Sequence, residues 1–176
     1  MKRILLILFS FVSVCSYSQI NRTVYGIPLL TSVSKAKQIL TNKGLKCTEG
    51  QAEFGMTVIC KGEIFFANKR WEAIILAVKD NKVYSIGFMM YGESEKIGET
   101  YMSLGNVLKE KYGNFAQTPT TNETYNSIKV SINFDDTHTL LFAQCEINQL
   151  EESVIILSYT DKEMYNRFQQ KGKDEL

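Results

Sequence analysis

The stretch Ile128-Lys129-Val130-Ser131-Ile132-Asn133-Phe134-Asp135 alternates apolar and polar side chains without a break. A strand places successive side chains on opposite faces, so the pattern predicts a strand with one face buried and the other wet. Such a strand needs a covering layer, and the preceding sequence offers one. Ile97, Tyr101, Leu104, Leu108 and Tyr112 recur at helical spacing between Ser94, read as the N-cap, and Gly113, read as the stop. Glu95 and Glu99 near the start of that helix and Lys109 and Lys111 near its end suit the helix dipole. An apolar helix stripe laid on the buried face of a sheet is an α+β layer. Downstream, Asp135-Asp136-Thr137 turns the chain into a strand over 139–148, and a third strand follows over 153–159. Asp161 then caps a short closing helix bearing Met164, Tyr165 and Phe168, whereas the residues around Thr118-Pro119-Thr120 read as a loop.

The N-terminal half follows the same plan. After Tyr25-Gly26-Ile27-Pro28, either Thr31 or Ser32 caps a helix with Val33, Ala36 and Leu40 on its apolar side, and Gly44 stops it. Strand-like stretches follow at 45–48, 56–67, 71–79 and 82–91, the last two joined by Asp80-Asn81, a short hairpin signal. A faint echo of Gln38-Ile39-Leu40 and Lys43-Gly44 in Asn106-Val107-Leu108 and Lys111-Tyr112-Gly113 suggests duplication. The predicted fold is therefore α+β, with two similar helix-plus-antiparallel-meander halves forming a helix-on-sheet layer and a short C-terminal helix.

At the N-terminus Lys2 and Arg3 precede an apolar run over 4–14 and a small-residue site, Ser16-Tyr17-Ser18, before Gln19. That is the pattern of a secretory signal peptide, and the run is too short to span a bilayer. Cys15 ends the run, but Val14 before it is bulky where lipid-attachment sites resemble Ala or Gly. The expected organisation is a signal peptide at 1–18, a single α+β domain at 19–172 with halves of about 19–92 and 93–172, and a polar tail at 173–176. No integral membrane segment remains after cleavage. The expected location is extracytoplasmic, periplasmic or secreted, and the Lys173-Asp174-Glu175-Leu176 end leaves residence in the endoplasmic reticulum lumen as a minority alternative.

Three cysteines follow the signal sequence: Cys47, Cys60 and Cys145. An odd count forbids complete pairing within one chain. Cys47 and Cys60 sit on neighbouring predicted strands, so an oxidising compartment can join them across a hairpin. Cys145 shares a strand face with Leu141, Ala143 and Ile147, the pattern of a small buried hydrophobe.

Chemistry-bearing motifs are few. His138 is the sole histidine, so a histidine-rich zinc site is impossible and any Ser-His-Asp triad would have to use it. The acid pairs Asp135 with Asp136 and Glu151 with Glu152 fall in predicted turns, where adjacent acids are ordinarily solvated. No cofactor or metal motif is present. A net charge of +1 without a basic block argues against nucleic acid or anionic lipid as partner, because both demand clustered Lys and Arg. Another protein is the expected partner. The candidate contact is an aromatic face of Trp71, Tyr91, Phe88 and Phe66, since 74–78 and 88–91 are apolar on both parities. Either both sheet faces are covered, or one face is an exposed apolar patch.

The Gly26-Ile27-Pro28-Leu29 opening, with its capped helix ending in Lys43-Gly44 and the strand meander behind it, resembles small secreted proteins of Bacteroidetes. The duplicated helix-plus-sheet plan is similar to the tandem fold of β-lactamase inhibitor protein and to small outer-membrane assembly lipoproteins. The resemblance implies a non-enzymatic protein-binding module: an inhibitor, an immunity protein or an envelope accessory factor. A small secreted hydrolase or ligand carrier is the alternative, and it would require a closed cavity on which His138 or paired acids converge.

Overall fold

The computed structural model describes residues 19–52, 55–113, 116–122, 127–148 and 152–174. The predicted signal peptide, Glu151 and the last two residues of the tail lie outside them. A two-stranded ribbon, β1 (Thr23–Val24) and β2 (Ile27–Pro28), opens the chain and leads into α1 (Val33–Asn42). Four strands follow: β3 (Lys46–Ala52), β4 (Gly55–Phe66), β5 (Lys69–Lys79) and β6 (Lys82–Gly92). The second half repeats the order with α2 (Ser94–Tyr112), β7 (Ala116–Asn122), β8 (Ser127–Asp135), β9 (Thr139–Asn148) and β10 (Ser153–Asp161), and α3 (Lys162–Asp174) closes the chain.

One eight-stranded antiparallel sheet runs in the order β3-β4-β5-β6-β10-β9-β8-β7. The last strand of each half therefore pairs with its counterpart at the centre, Ile156 opposite Met89 and Leu157 opposite Phe88. The α+β class and the helix-on-sheet layer are as read from the sequence. Two local expectations are corrected. Residues 116–122 are not a loop but the edge strand β7, with Pro119 opposite Val130. An edge strand tolerates proline because one row of its amides needs no ladder partner. Ser94 is not the cap of α2: Glu93 occupies that position without a side-chain bond. The Ser94 hydroxyl instead donates to the Asn148 carbonyl at 2.8 Å and lies 3.0 Å from the Ser153 hydroxyl.

Ser32 does cap α1, accepting from the Lys35 amide, and Asp161 caps α3, its Oδ1 accepting from the Met164 amide at 3.0 Å. Asp80 and Asn81 both adopt positive φ, as a two-residue hairpin turn requires. Ala67 and Asn68 do the same between β4 and β5.

The core lies on one face of the sheet. Register aligns Cys60, Ile74, Phe88, Leu157 and Ala143 on that face, and Val58, Leu76, Ile86, Tyr159 and Leu141 in the next row. All ten are buried. The α2 stripe of Ile97, Tyr101, Leu104, Leu108 and Tyr112 covers the second half of this face, and α1 covers the first with Ala36 and Leu40. Gly105 lets α2 approach closely: a Cβ there would stand 2.9 Å from Ile132 Cδ1. The Tyr101 hydroxyl pins the layers by donating to the carbonyls of Ala143 at 3.2 Å and Val130 at 3.3 Å.

Candidate functional site

Of the four aromatic residues expected to form a binding face, two are core. Trp71 is 1% exposed and Phe88 fully buried. The register of β4 on β5 shifts between Lys61 and Ile64, and such a bulge re-aims the side chains beyond it. Past the bulge Phe66 stacks flat on Phe88 at 4.2 Å and meets Tyr25 and Tyr159 edge-on. Trp71 packs at 5.7 Å from Phe88 and donates its indole N–H to the Phe66 carbonyl at 2.9 Å. The hairpin end thus fills the helix-side face between α1 and α2, where Lys69 reaches Ser103 of α2. Only Tyr91, at 44% exposure, stands where a partner can reach it.

Apolar residues also line the opposite face, where Tyr91 is joined by residues outside the expected set. Ile59, Ile75, Gly87, Ser158 and Phe142 form one row across β4, β5, β6, β10 and β9. Ala73, Met89 and Ile156 form the next, and Tyr91 with Val154 the one beyond. Ile59, Ile75, Met89, Val154 and Ile156 are all half-buried. Ile156 Cγ2 leans to within 3.9 Å of where a Gly87 side chain would begin.

On this outer face α3 lies across one end only. Tyr165 packs on Phe142 at 5.6 Å, Phe168 on Tyr84 at 5.1 Å, and Lys79 sits over the Phe168 ring at 5.8 Å. Among the described residues no other helix touches this face. Tyr91 was among the residues read from the sequence; Met89 and Ile156 were not, although parity alone separates them from the buried Phe88 and Leu157. What was missing was which parity the helices take.

The polar candidates resolve into structure. Asp136 Oδ1 accepts from the amides of His138 and Thr139, organising the β8–β9 turn, and its Oδ2 accepts from the Ile20 amide at 2.8 Å. Asp135 pairs with Lys162 at 2.6 Å. Asp161, 5% exposed, pairs with Arg22 at 2.6 Å, and the other Arg22 nitrogen donates to the His138 carbonyl at 2.7 Å. The His138 ring itself is at the surface. These contacts tie the N-terminal strap, the β8–β9 turn and the start of α3 together. They bring no nucleophile beside a base. Among the described residues no three His, Cys, Asp or Glu side chains gather as a metal site. The depression lined by Gln19, Ile20, Asn21, Arg22 and Lys111 is open, and the Arg22 guanidinium in it is already engaged.

Cys47 and Cys60 are joined, directly opposite each other on β3 and β4, as the hairpin reading expected. Cys145 is a buried thiol whose pKa burial pushes from 9.0 up to about 11. A thiol held protonated at neutral pH is a poor nucleophile. The sign of its effect on folding is definite. Below pH 9 both folded and unfolded chains keep the proton, whereas between pH 9 and about 11 the unfolded chain ionises first. Stability is therefore expected to fall across that window by about 2–3 kcal/mol, at roughly 1.4 kcal/mol per pKa unit. Tyr101, raised by its own burial and then by Cys145, steepens the alkaline side. Urea midpoints measured from pH 8 to 11 check this, and a flat profile contradicts it.

No family model, curated protein or solved structure matches this chain.

Proposed function

We propose that the protein is a non-enzymatic extracytoplasmic binding module that presents the open part of its outer sheet face to another protein. The observation carrying this reading is the contiguous set Ile59, Ile75, Met89, Val154 and Ile156, half-buried beside α3, with Tyr91 exposed at its edge. Exposed apolar sheet surface costs solubility unless something uses it, and Tyr and Met are residue types enriched in protein interfaces. The position of α3 suggests the partner's form. An amphipathic helix laid beside α3 would continue a layer that the fold has begun, its apolar stripe on Ile75, Met89 and Ile156. Inhibitor, immunity protein and envelope accessory factor are all roles such a module fills.

The location rests on the signal-peptide pattern together with the Cys47–Cys60 disulfide, which belongs to an oxidising compartment. No described helix is long and apolar enough to cross a membrane.

The test is crosslinking and mass spectrometry of tagged protein in its own extracytoplasmic fraction, comparing wild type with Tyr91→Ala, Ile156→Asp and, on the opposite layer, Met102→Asp. Ile156→Asp is expected to weaken capture of a stoichiometric partner at least tenfold, a loss of about 1.4 kcal/mol or more, whereas Met102→Asp leaves it unchanged. Capture insensitive to Tyr91 and Ile156, or no partner beyond a second copy of the chain, overturns the reading. Thermal melts of each variant separate lost binding from lost folding.

A further inference from the structure

The third helix differs from the other two in how it is held. Two α1 side chains and six α2 residues are buried, yet none of the described side chains of the 13-residue α3 is. Its apolar residues Met164, Tyr165 and Phe168 are only half-buried, and its second half reads Gln169-Gln170-Lys171-Gly172-Lys173-Asp174. A helix of this length is marginal in water by itself, so packing must hold it. Among the described side chains that packing is concentrated at the N-terminal end. Asp161 uses one carboxylate oxygen to cap the helix and the other to take Arg22 from the N-terminal strap. The Lys162 amide donates to the His138 carbonyl at 3.0 Å, and the Lys162 ammonium bridges to Asp135. Farther along, among the described side chains, Tyr165 and Phe168 meet the sheet through their rings, with the Lys79 ammonium over Phe168.

We propose that α3 is a hinged cover on the outer face, pivoting at Asp161 and latched there by Arg22. Closed, it occupies the end of the face that carries Phe142 and Tyr84. Open, it uncovers those two rings and extends the half-buried apolar surface of β10, β6 and β5 onto β9. The inference rests on the docking reading only for what opening serves; the hinge itself is a property of the isolated protein. Stability is distributed unevenly in folded domains, and elements with few buried contacts open first.

Hydrogen exchange on the full chain, read by mass spectrometry, tests the cover without any partner. Amides of α3 are expected to exchange at least tenfold faster than those of α2. Arg22→Ala is expected to raise α3 exchange several-fold further while α2 stays as it was. A double Tyr165→Ala, Phe168→Ala variant should leave the urea midpoint of the sheet unchanged and increase binding of an apolar dye. Exchange in α3 as slow as in α2, or a fall in the global midpoint on removing the two rings, would make α3 an integral layer and overturn the proposal. Failure of the partner capture with fast α3 exchange would sink the docking reading and leave the hinge standing.

Discussion

Replacing Trp71 by alanine is expected to lower folding stability by about 3–5 kcal/mol, the range for deleting a buried aromatic side chain. The indole is 1% exposed, packs on Phe88 and donates to the Phe66 carbonyl. Alanine removes the ring, leaves that carbonyl without its side-chain donor and opens a cavity where the β4–β5 hairpin closes over the core. Trp71→Phe keeps most of the apolar contact and loses the hydrogen bond, so its cost should be nearer 1–2 kcal/mol. Circular dichroism through a urea titration gives both values. As Trp71 is the only tryptophan, native fluorescence offers an independent check: emission from a dry environment, poorly quenched by iodide. A Trp71→Ala variant within about 1 kcal/mol of wild type, or strong quenching, would place the indole at the surface after all. The same variant separates two ways of losing a partner. Trp71→Ala weakens binding by unfolding the module, whereas Tyr91→Ala, at an exposed position, should weaken it at full stability.

Periodicity carried most of the fold. The 128–135 alternation became β8 with Ile132 and Phe134 buried, and every residue of the α2 stripe is buried. These features are legible because a half-buried strand and a surface helix each repeat one face at a fixed period. The edge strand β7 escaped because Thr118, Pro119 and Thr120 lack an alternating apolar face and proline reads as a turn. Only its pairing with β8 makes it a strand, and pairing is nonlocal information.

The candidate site was legible as a property and not as a residue set. Runs apolar on both parities left two readings open, both faces covered or one face an exposed patch, and the outer face carries half-buried apolar residues beside α3. Which parity meets the helices depends on bulges, and the sequence marks these weakly. One lies between Lys61 and Ile64, where a Cβ on Gly62 would stand 2.7 Å from Leu45 Cδ2, and another comes just after Ala77. Trp71 lies beyond the first of these, which is why it faces inward although it stands three residues from the inward Ile74, whereas Phe88 and Ile156 sit on β6 and β10 in unshifted register and differ by parity alone. Asp161 as a helix cap and Asp136 as a turn residue were legible, but their second bonds, and the part played by Arg22, were not. Those come from contacts more than a hundred residues apart, Ile20 with Asp136 and Arg22 with Asp161.

Loss of the Cys47–Cys60 disulfide is the other large effect expected. The two residues are 13 apart, and closing a loop of that size removes about 3 kcal/mol of unfolded-chain entropy. The native state has little else to compensate on β3. Apart from Cys47 its side chains are exposed, it is an edge strand, and the Lys37–Glu49 ion pair that reaches it from α1 is itself at the surface, where such pairs contribute under about 1 kcal/mol. The double variant Cys47→Ala, Cys60→Ala should therefore lose about 3 kcal/mol in a urea titration, and wild type in excess reductant should match it. The loss should also be local in hydrogen exchange, with β3 amides fastest and β10 amides slowest, because β3 has a ladder partner on one side only. This bears on where the protein works. If β3 holds only when the bridge is formed, a reducing compartment would present a frayed edge strand, a template for pairing with other chains. If the double variant keeps its urea midpoint and its β3 protection, the bridge is incidental, and the disulfide no longer supports an extracytoplasmic location.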